Sequence, residues 1–384
     1  MTAAFVRSAG RKAPRPAENP PQENERPVLS SPAARLDDQE DKALNHQIDI
    51  NCEQNTRNST TRRARVTAVH RERYALSLDG RTIYGRLKTA AWRESGALYP
   101  TVGDWAEITP NPQGDALIIA LEPRRTLFRR SDGFGKRGVQ AVAANFESVF
   151  IVTSLNRDFE LRRIERYLAL THESGAQPVV VLTKADICPD PAPYIEEVRA
   201  LKADLPVYAV SAATGEGLDA LMPYLQPGMT AALLGSSGVG KSTLINALMG
   251  EKAMDTGAIR EDDDRGRHTT TCRQLLALPG GAFLIDTPGM RELGVWDADE
   301  GVRETFGDLV ALAGQCRFRD CSHTCEPGCA VRAAVERGEI DEKRVRNWLN
   351  VGHESHVTAE LARRRAKLAL RKQSKAQHSS GHKG

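Results

Sequence analysis

The stretch Gly235-Ser236-Ser237-Gly238-Val239-Gly240-Lys241-Ser242-Thr243 decides how this chain folds. It follows an apolar run, MTAALL, and opens an amphipathic one, STLINALMG, so it reads as a glycine-rich turn between a strand and a helix. Glycines let the backbone wrap closely, and its N–H groups can then point at phosphate oxygens. Lys241 would neutralise charge on the outer phosphates, and the Ser242 hydroxyl would face Mg²⁺.

Working outward, from about Glu147 to Trp296 apolar runs alternate with helix-like spacing. SVFIVTSL, PVVVLTK, PVYAVSA, MTAALLG, RQLLALP and AFLIDTP are uninterrupted, as in strands covered on both faces. Between several of them lie LRRIERYLALTHE, YIEEVRALKA and STLINALMG, with amphipathic spacing. The expectation is a doubly wound α/β domain.

Thr183-Lys184-Ala185-Asp186 directly ends the strand VVVL. An aspartate there can accept hydrogen bonds from guanine N1–H and the exocyclic amine, a donor pair that adenine lacks. Ser211-Ala212-Ala213 ends the strand VYAV, and its backbone could meet guanine O6. Asp286-Thr287-Pro288-Gly289 ends AFLI; Asp286 would hold Mg²⁺ through water, and the Gly289 N–H could reach a γ-phosphate. In Gly266-Arg267-His268-Thr269-Thr270-Thr271 a threonine, assigned here to Thr270, would complete the Mg²⁺ shell. The acidic run from Glu261 to Asp264 reads as solvated loop.

These elements suit a guanine-nucleotide site, but base-reading segments precede phosphate-reading ones. Circular permutation, in which old termini are joined and a connection is cut, gives the same sheet. It also runs the segment after Gly289 directly toward a cysteine-rich region.

Residues 1–60 hold six prolines and one aromatic, Phe5, and read as a disordered tail. From Thr61 to about Glu122, RARVTAVH, YALSLDG, TIYGRLK, DWAEITP and DALIIALEP alternate with turn signals such as Asp79-Gly80, which suits a small β-barrel. Arg62 to Arg137 carries 15 Lys/Arg against 8 Asp/Glu, so the barrel region is basic, as oligonucleotide-binding barrels are. Arg124 to Gly138 is its densest basic run and reads as a connector. Beyond Trp296, Cys316, Cys321, His323 and Cys329 fall within 14 residues and could surround one tetrahedral Zn²⁺, with Cys325 a spare thiol. Such an ion would be structural, stapling a segment too small to hold a core. Residues 359–384, with eight Lys/Arg and one Glu, read as a basic helical tail.

Composition sets the outer bounds. In 384 residues, 40% hydrophobic and 27% charged, no run approaches a membrane span, and seven cysteines do not make a disulfide scaffold.

In order and motif, about residues 60–350 resemble the circularly permuted bacterial GTPases that mature the small ribosomal subunit, the ribosome-small-subunit-dependent GTPase A family. TKAD, SAATGEG, GSSGVGKST, GRHTT and DTPG carry the likeness. Between the disordered tail (1–60) and the basic helical tail (359–384), the resemblance implies an OB-fold RNA-binding barrel (61–125), a permuted P-loop GTPase domain (126–298) and a helical zinc-binding domain (299–358). It makes residues 183–186 and 211–213 base contacts and 238–243 the phosphate cradle, and it leaves Cys325 out of the zinc set. Thr183 stands where the usual motif has asparagine. Met290 follows the DTPG motif where many GTPases carry a water-orienting glutamine, so His268 is the catalytic candidate alongside Lys241. The expected protein is a cytoplasmic, monomeric GTPase without a membrane partner. It would act late on the small subunit and its 16S rRNA, cycle between GTP and GDP, use Mg²⁺ with GTP and hold one Zn²⁺. The alternatives are an RNA-binding chaperone with GTP as a regulatory clamp, and a permuted GTPase of another ribosome-assembly class.

Overall fold

The computed structural model describes residues 61–70, 73–88, 92, 98–131, 139–202, 204–250, 273–286 and 298–357. The 1–60 tail and the basic tail from 359 onward lie outside the described residues.

Five strands, β1 (Arg62–Val69), β2 (Tyr74–Leu78), β3 (Arg81–Leu87), β4 (Trp105–Thr109) and β5 (Ala116–Leu121), form a closed barrel. β1 pairs with both β2 and β4, β4 pairs with β5, and β5 returns parallel to β3. Alternation places Ala64, Val66, Leu76, Ala106, Ile108 and Ile118 inside. Asp79 and Gly80 both have positive φ, 50° and 77°, the geometry of a tight hairpin turn whose twist matches its strands.

The basic connector expected at Arg124 to Gly138 is instead partly sheet. Leu127–Ser131 (β6) pairs antiparallel with Val139–Ala144 (β7). Phe128 is the reason: it is 2% exposed and stacks on Phe146 at 4.7 Å, so one face of the basic run is anchored in the core.

The central sheet runs β10 (Val207–Ala209), β9 (Gln177–Thr183), β8 (Ser148–Ser154), β11 (Thr230–Leu234), β13 (Phe283–Asp286), β12 (Gln274–Ala277). All neighbours are parallel except β12, which pairs antiparallel with β13. Every residue of β8 and β11 is buried. Strand alternation divides the core: Val149 and Ile151 pack with Ile164 and Leu168, whereas Phe150 and Val152 pack with Leu244 and Ile245. Helix α1 (Leu161–Glu173) therefore covers one face and α3 (Lys241–Met249) the other, while α2 (Ala192–Arg199) joins β9 to β10. The antiparallel strand β12 is only partly buried and lies between β13 and the barrel strand β1.

The barrel joins the sheet edge through β1 and β12, paired at Ala68 and Gln274. Arg65 crosses the same junction. It is buried, donates to the Asn145 carbonyl (3.1 Å) and Thr230 Oγ1 (2.7 Å), and lies near the rings of Trp105 and Phe283. Burial lowers its guanidinium to about 10.

Four helices follow: α4 (Asp299–Thr305), α5 (Gly307–Ala313), α6 (Ala330–Glu336) and α7 (residues 342–357). Gly301 lets α4 cross α1 closely, since a Cβ there would stand 2.0 Å from the Ala169 carbonyl oxygen. Buried Glu165 of α1 receives Asn347 Nδ2 (2.6 Å) and Arg344 Nε (3.0 Å), and Arg166 grips Glu354 through two nitrogens. The helical module is thus fastened to α1 by both of its flanks.

Candidate nucleotide and metal sites

Parallel strands deliver their following loops to one end of the sheet, where ligands of open α/β folds sit. The segments expected to read base and phosphate gather there. β11 leads into Gly235, and Gly240, with φ 97°, caps the start of α3, a backbone conformation that glycine adopts without strain. Lys241 Nζ donates to the carbonyls of Gly235 (2.8 Å) and Ser236 (2.7 Å), so it folds back over the loop. Ser237, Gly238 and Val239 complete the turn, and Ser242 and Thr243 lie in the first turn of α3. Asp286 ends β13 beside Leu233 of β11 and is 8% exposed.

Of the two segments expected to read the base, the one at Thr183 and Lys184 touches this loop directly. Thr183 Oγ1 donates to the Val239 carbonyl at 2.5 Å, with the Thr153 carbonyl a longer 3.2 Å away. Lys184, in the left-handed region at φ 63°, reaches the Gly238 carbonyl with Nζ at 3.1 Å. Ala185 and Asp186 open a short 3-10 turn, and the Ala185 N–H donates to the Val210 carbonyl at 3.1 Å. The Ser211 hydroxyl donates to Asp186 Oδ1 at 2.7 Å and accepts the Thr214 N–H, which orients the carboxylate. Ala212 and Ala213 follow in the same turn. Thr183, where the usual motif has asparagine, thus ties the strand end to the phosphate loop with a single hydroxyl.

His268, Thr269, Thr270, Thr271, Thr287, Gly289 and Met290 lie outside the described residues. The expectations for His268 as catalytic group, for the switch threonine and for the γ-phosphate contact at Gly289 therefore fall outside the described residues.

In the helical module Cys316, Cys321, His323 and Cys329 bring one donor atom each within 4.8 Å of one another. His323 Nδ1 is 3.5 Å from the sulfurs of both Cys316 and Cys329, which are 3.9 Å apart. A tetrahedron with metal–sulfur bonds of ~2.3 Å has edges of roughly 3.8 Å, so the donors suit zinc in both kind and spacing. His323 has φ 60°, a turn that brings its ring in beside Trp348 at 5.2 Å between centroids. Cys325 is exposed and outside the cluster.

Sequence reading missed Arg163, whose Nη1 reaches Ser236 Oγ at 3.1 Å. In an amphipathic helix rich in arginine it looks like part of a solvated face. It also missed the Glu165, Arg344 and Asn347 network, whose members are about 180 positions apart.

Comparison with known proteins agrees with this fold. A family model described as RsgA GTPase matches residues 121–296. The chain is similar to the small ribosomal subunit biogenesis GTPase RsgA of Methanosarcina acetivorans, 49% identical over 66% of this chain and 70% of that protein. It is similar to the protein of the same name from Opitutus terrae, 51% identical over 68% and 74%. Among solved structures, YjeQ from Thermotoga maritima aligns with a TM-score of 0.56 at 29% identity, covering 77% of this chain and 98% of that one. YloQ, described as a circularly permuted GTPase, aligns at 0.52 with 22% identity, over 76% and 93%, a likeness of fold.

Proposed function

Because the chain belongs to the RsgA GTPase family, we propose that it hydrolyses GTP as a factor in late assembly of the small ribosomal subunit. The observation that carries this reading is the direct bonding of the TKAD segment to the phosphate loop through Thr183 and Lys184. One unit can then grip base and phosphates together. Asp186, oriented by Ser211, accepts the guanine donors, and the backbone of Ala212 and Ala213 meets O6. Gly235 to Thr243 cradle the phosphates. Lys241 leaves its loop carbonyls for phosphate oxygens, where it stabilises developing charge. Mg²⁺ would be held by Ser242 and Thr270, with Asp286 acting through water, and it supplies electrostatic neutralisation of the β- and γ-phosphates. His268 orients or deprotonates the attacking water, and Gly289 meets the γ-phosphate.

One structural Zn²⁺ on Cys316, Cys321, His323 and Cys329 holds the loop between α5 and α6. The barrel carries Arg73 over the exposed ring of Tyr84 and Arg63 over Trp105, cationic and aromatic groups suited to RNA once the nucleic acid competes with their carboxylate partners, Asp115 and Glu122. The domain limits are those given above. The protein works as a cytoplasmic monomer on the 16S rRNA; among the described residues no helix is long and apolar enough to cross a membrane.

Phosphate release from GTP, measured with and without purified small subunits, tests the reading. Acceleration at least tenfold by small but not large subunits is expected. Binding without acceleration would favour the regulatory-clamp alternative, to which Met290 lends weight.

A further inference from the structure

Beside the phosphate loop stands a cation that the nucleotide reading leaves without a task. Arg163, the third residue of α1, is half-buried and donates through Nη1 to Ser236 Oγ (3.1 Å) and the Asp158 carbonyl (3.3 Å). The arginines flanking it on the helix are matched to carboxylates, Arg162 to Glu160 at 3.9 Å and Arg166 to Glu354 at 2.5 Å. Among the described residues no carboxylate forms an ion pair with Arg163.

Its target is equally specific. Ser236 is 8% exposed, and its carbonyl accepts from Lys241 Nζ at 2.7 Å. One loop residue is thus held by two cations through two different atoms. The platform under Arg163 is ordered too: Asn156 Oδ1 accepts from the Ser154 hydroxyl (2.8 Å) and the Asp158 N–H (2.9 Å), which fixes the turn carrying the Asp158 carbonyl. Among the described residues the acceptors it reaches are two neutral oxygens, so no carboxylate there offsets its charge. A polyphosphate in the neighbouring loop would supply the compensating field.

We propose that Arg163 is a positioning residue for the polyphosphate, holding the loop through Ser236 and placing a fixed positive charge beside it. This rests on the guanine-nucleotide reading of the site. Its particular consequence is that the contribution of Arg163 grows with the number of phosphates and is absent from base recognition.

The test uses the full chain with Arg163→Ala, Arg163→Lys, Ser236→Ala and the Arg163→Ala/Ser236→Ala double variant. Affinities for a non-hydrolysable GTP analogue, GDP and GMP are read by displacement of a fluorescent guanine nucleotide, with thermal unfolding in parallel. Arg163→Ala should weaken the triphosphate roughly tenfold, the diphosphate less, and the monophosphate within about twofold. Lysine should recover most of the triphosphate affinity, and the double variant should fall short of the summed single losses. Equal weakening of all three ligands, or unchanged triphosphate affinity in Arg163→Ala, overturns the proposal and leaves the guanine reading intact. A wild-type chain that binds none of the three overturns both.

Discussion

The Thr183 hydroxyl has one proton and two carbonyls in reach, and the shorter contact, to Val239, takes it. Thr183→Val keeps the shape and removes the donor, leaving a buried loop carbonyl without its partner. The expected loss is about 1–3 kcal/mol, read as a weakening of GTP binding of roughly fivefold to a hundredfold. Asp186→Asn is a sharper test of base reading: guanine affinity should fall about a hundredfold or more relative to xanthine nucleotides, because the amide presents a donor to guanine's donors. Unchanged selectivity would remove Asp186 from the base site. At this scale, that the phosphate loop and TKAD belong to one place was readable from their spacing after strands, and the two are bonded to each other. Arg163 was not readable, because its meaning comes from where α1 lands beside Ser236.

Between elements, the α1–α4 crossing is the most sensitive contact. Gly301→Ala would drive a methyl group into the Ala169 carbonyl, with the Glu173 backbone nitrogen also 2.9 Å away, so the helices must separate. Thermal unfolding should shift down by several degrees, an effect on the order of 2–3 kcal/mol, with both backbones unable to yield cheaply. His172, at the last turn of α1, lies at the same junction. Its side chain is 6% exposed, with Nδ1 3.4 Å from Glu304, which Lys202 also contacts at 3.0 Å. Burial, with a smaller contribution from Lys202, holds the imidazole below its ordinary 6.5, against the opposing pulls of Glu304 and Asp204. The unfolded chain therefore takes up the proton first as pH falls. Stability contributed here is complete above about pH 7 and declines as pH drops below the ordinary histidine value. His172→Gln should flatten that part of the Tm–pH curve relative to wild type. Strands and helices themselves were legible from periodicity; the β6–β7 hairpin was not, since its charge outweighed the alternation that buries Phe128.

For the whole molecule, permutation could be read from motif order alone, and the barrel and cysteine module from their composition. How the parts are fastened could not, because Arg65, Gly301 and Glu165 find partners far away in sequence. Zinc removal probes one such fastening. Cys321→Ser should lower metal content from about one ion per chain and lower Tm, since zinc binding is coupled to local folding, whereas Cys325→Ser should change neither.

The strand order has a temporal side. Polypeptides leave the ribosome amino end first, so β8, β9 and β10 emerge as a contiguous trio before β11 exists. β8, wholly enclosed in the finished sheet, is meanwhile a bare apolar margin with unpaired amides. Until residue 234 is available to lie alongside it, a nascent chain of this protein is exposed to mispairing, and slow translation between residues 155 and 230 would prolong that hazard.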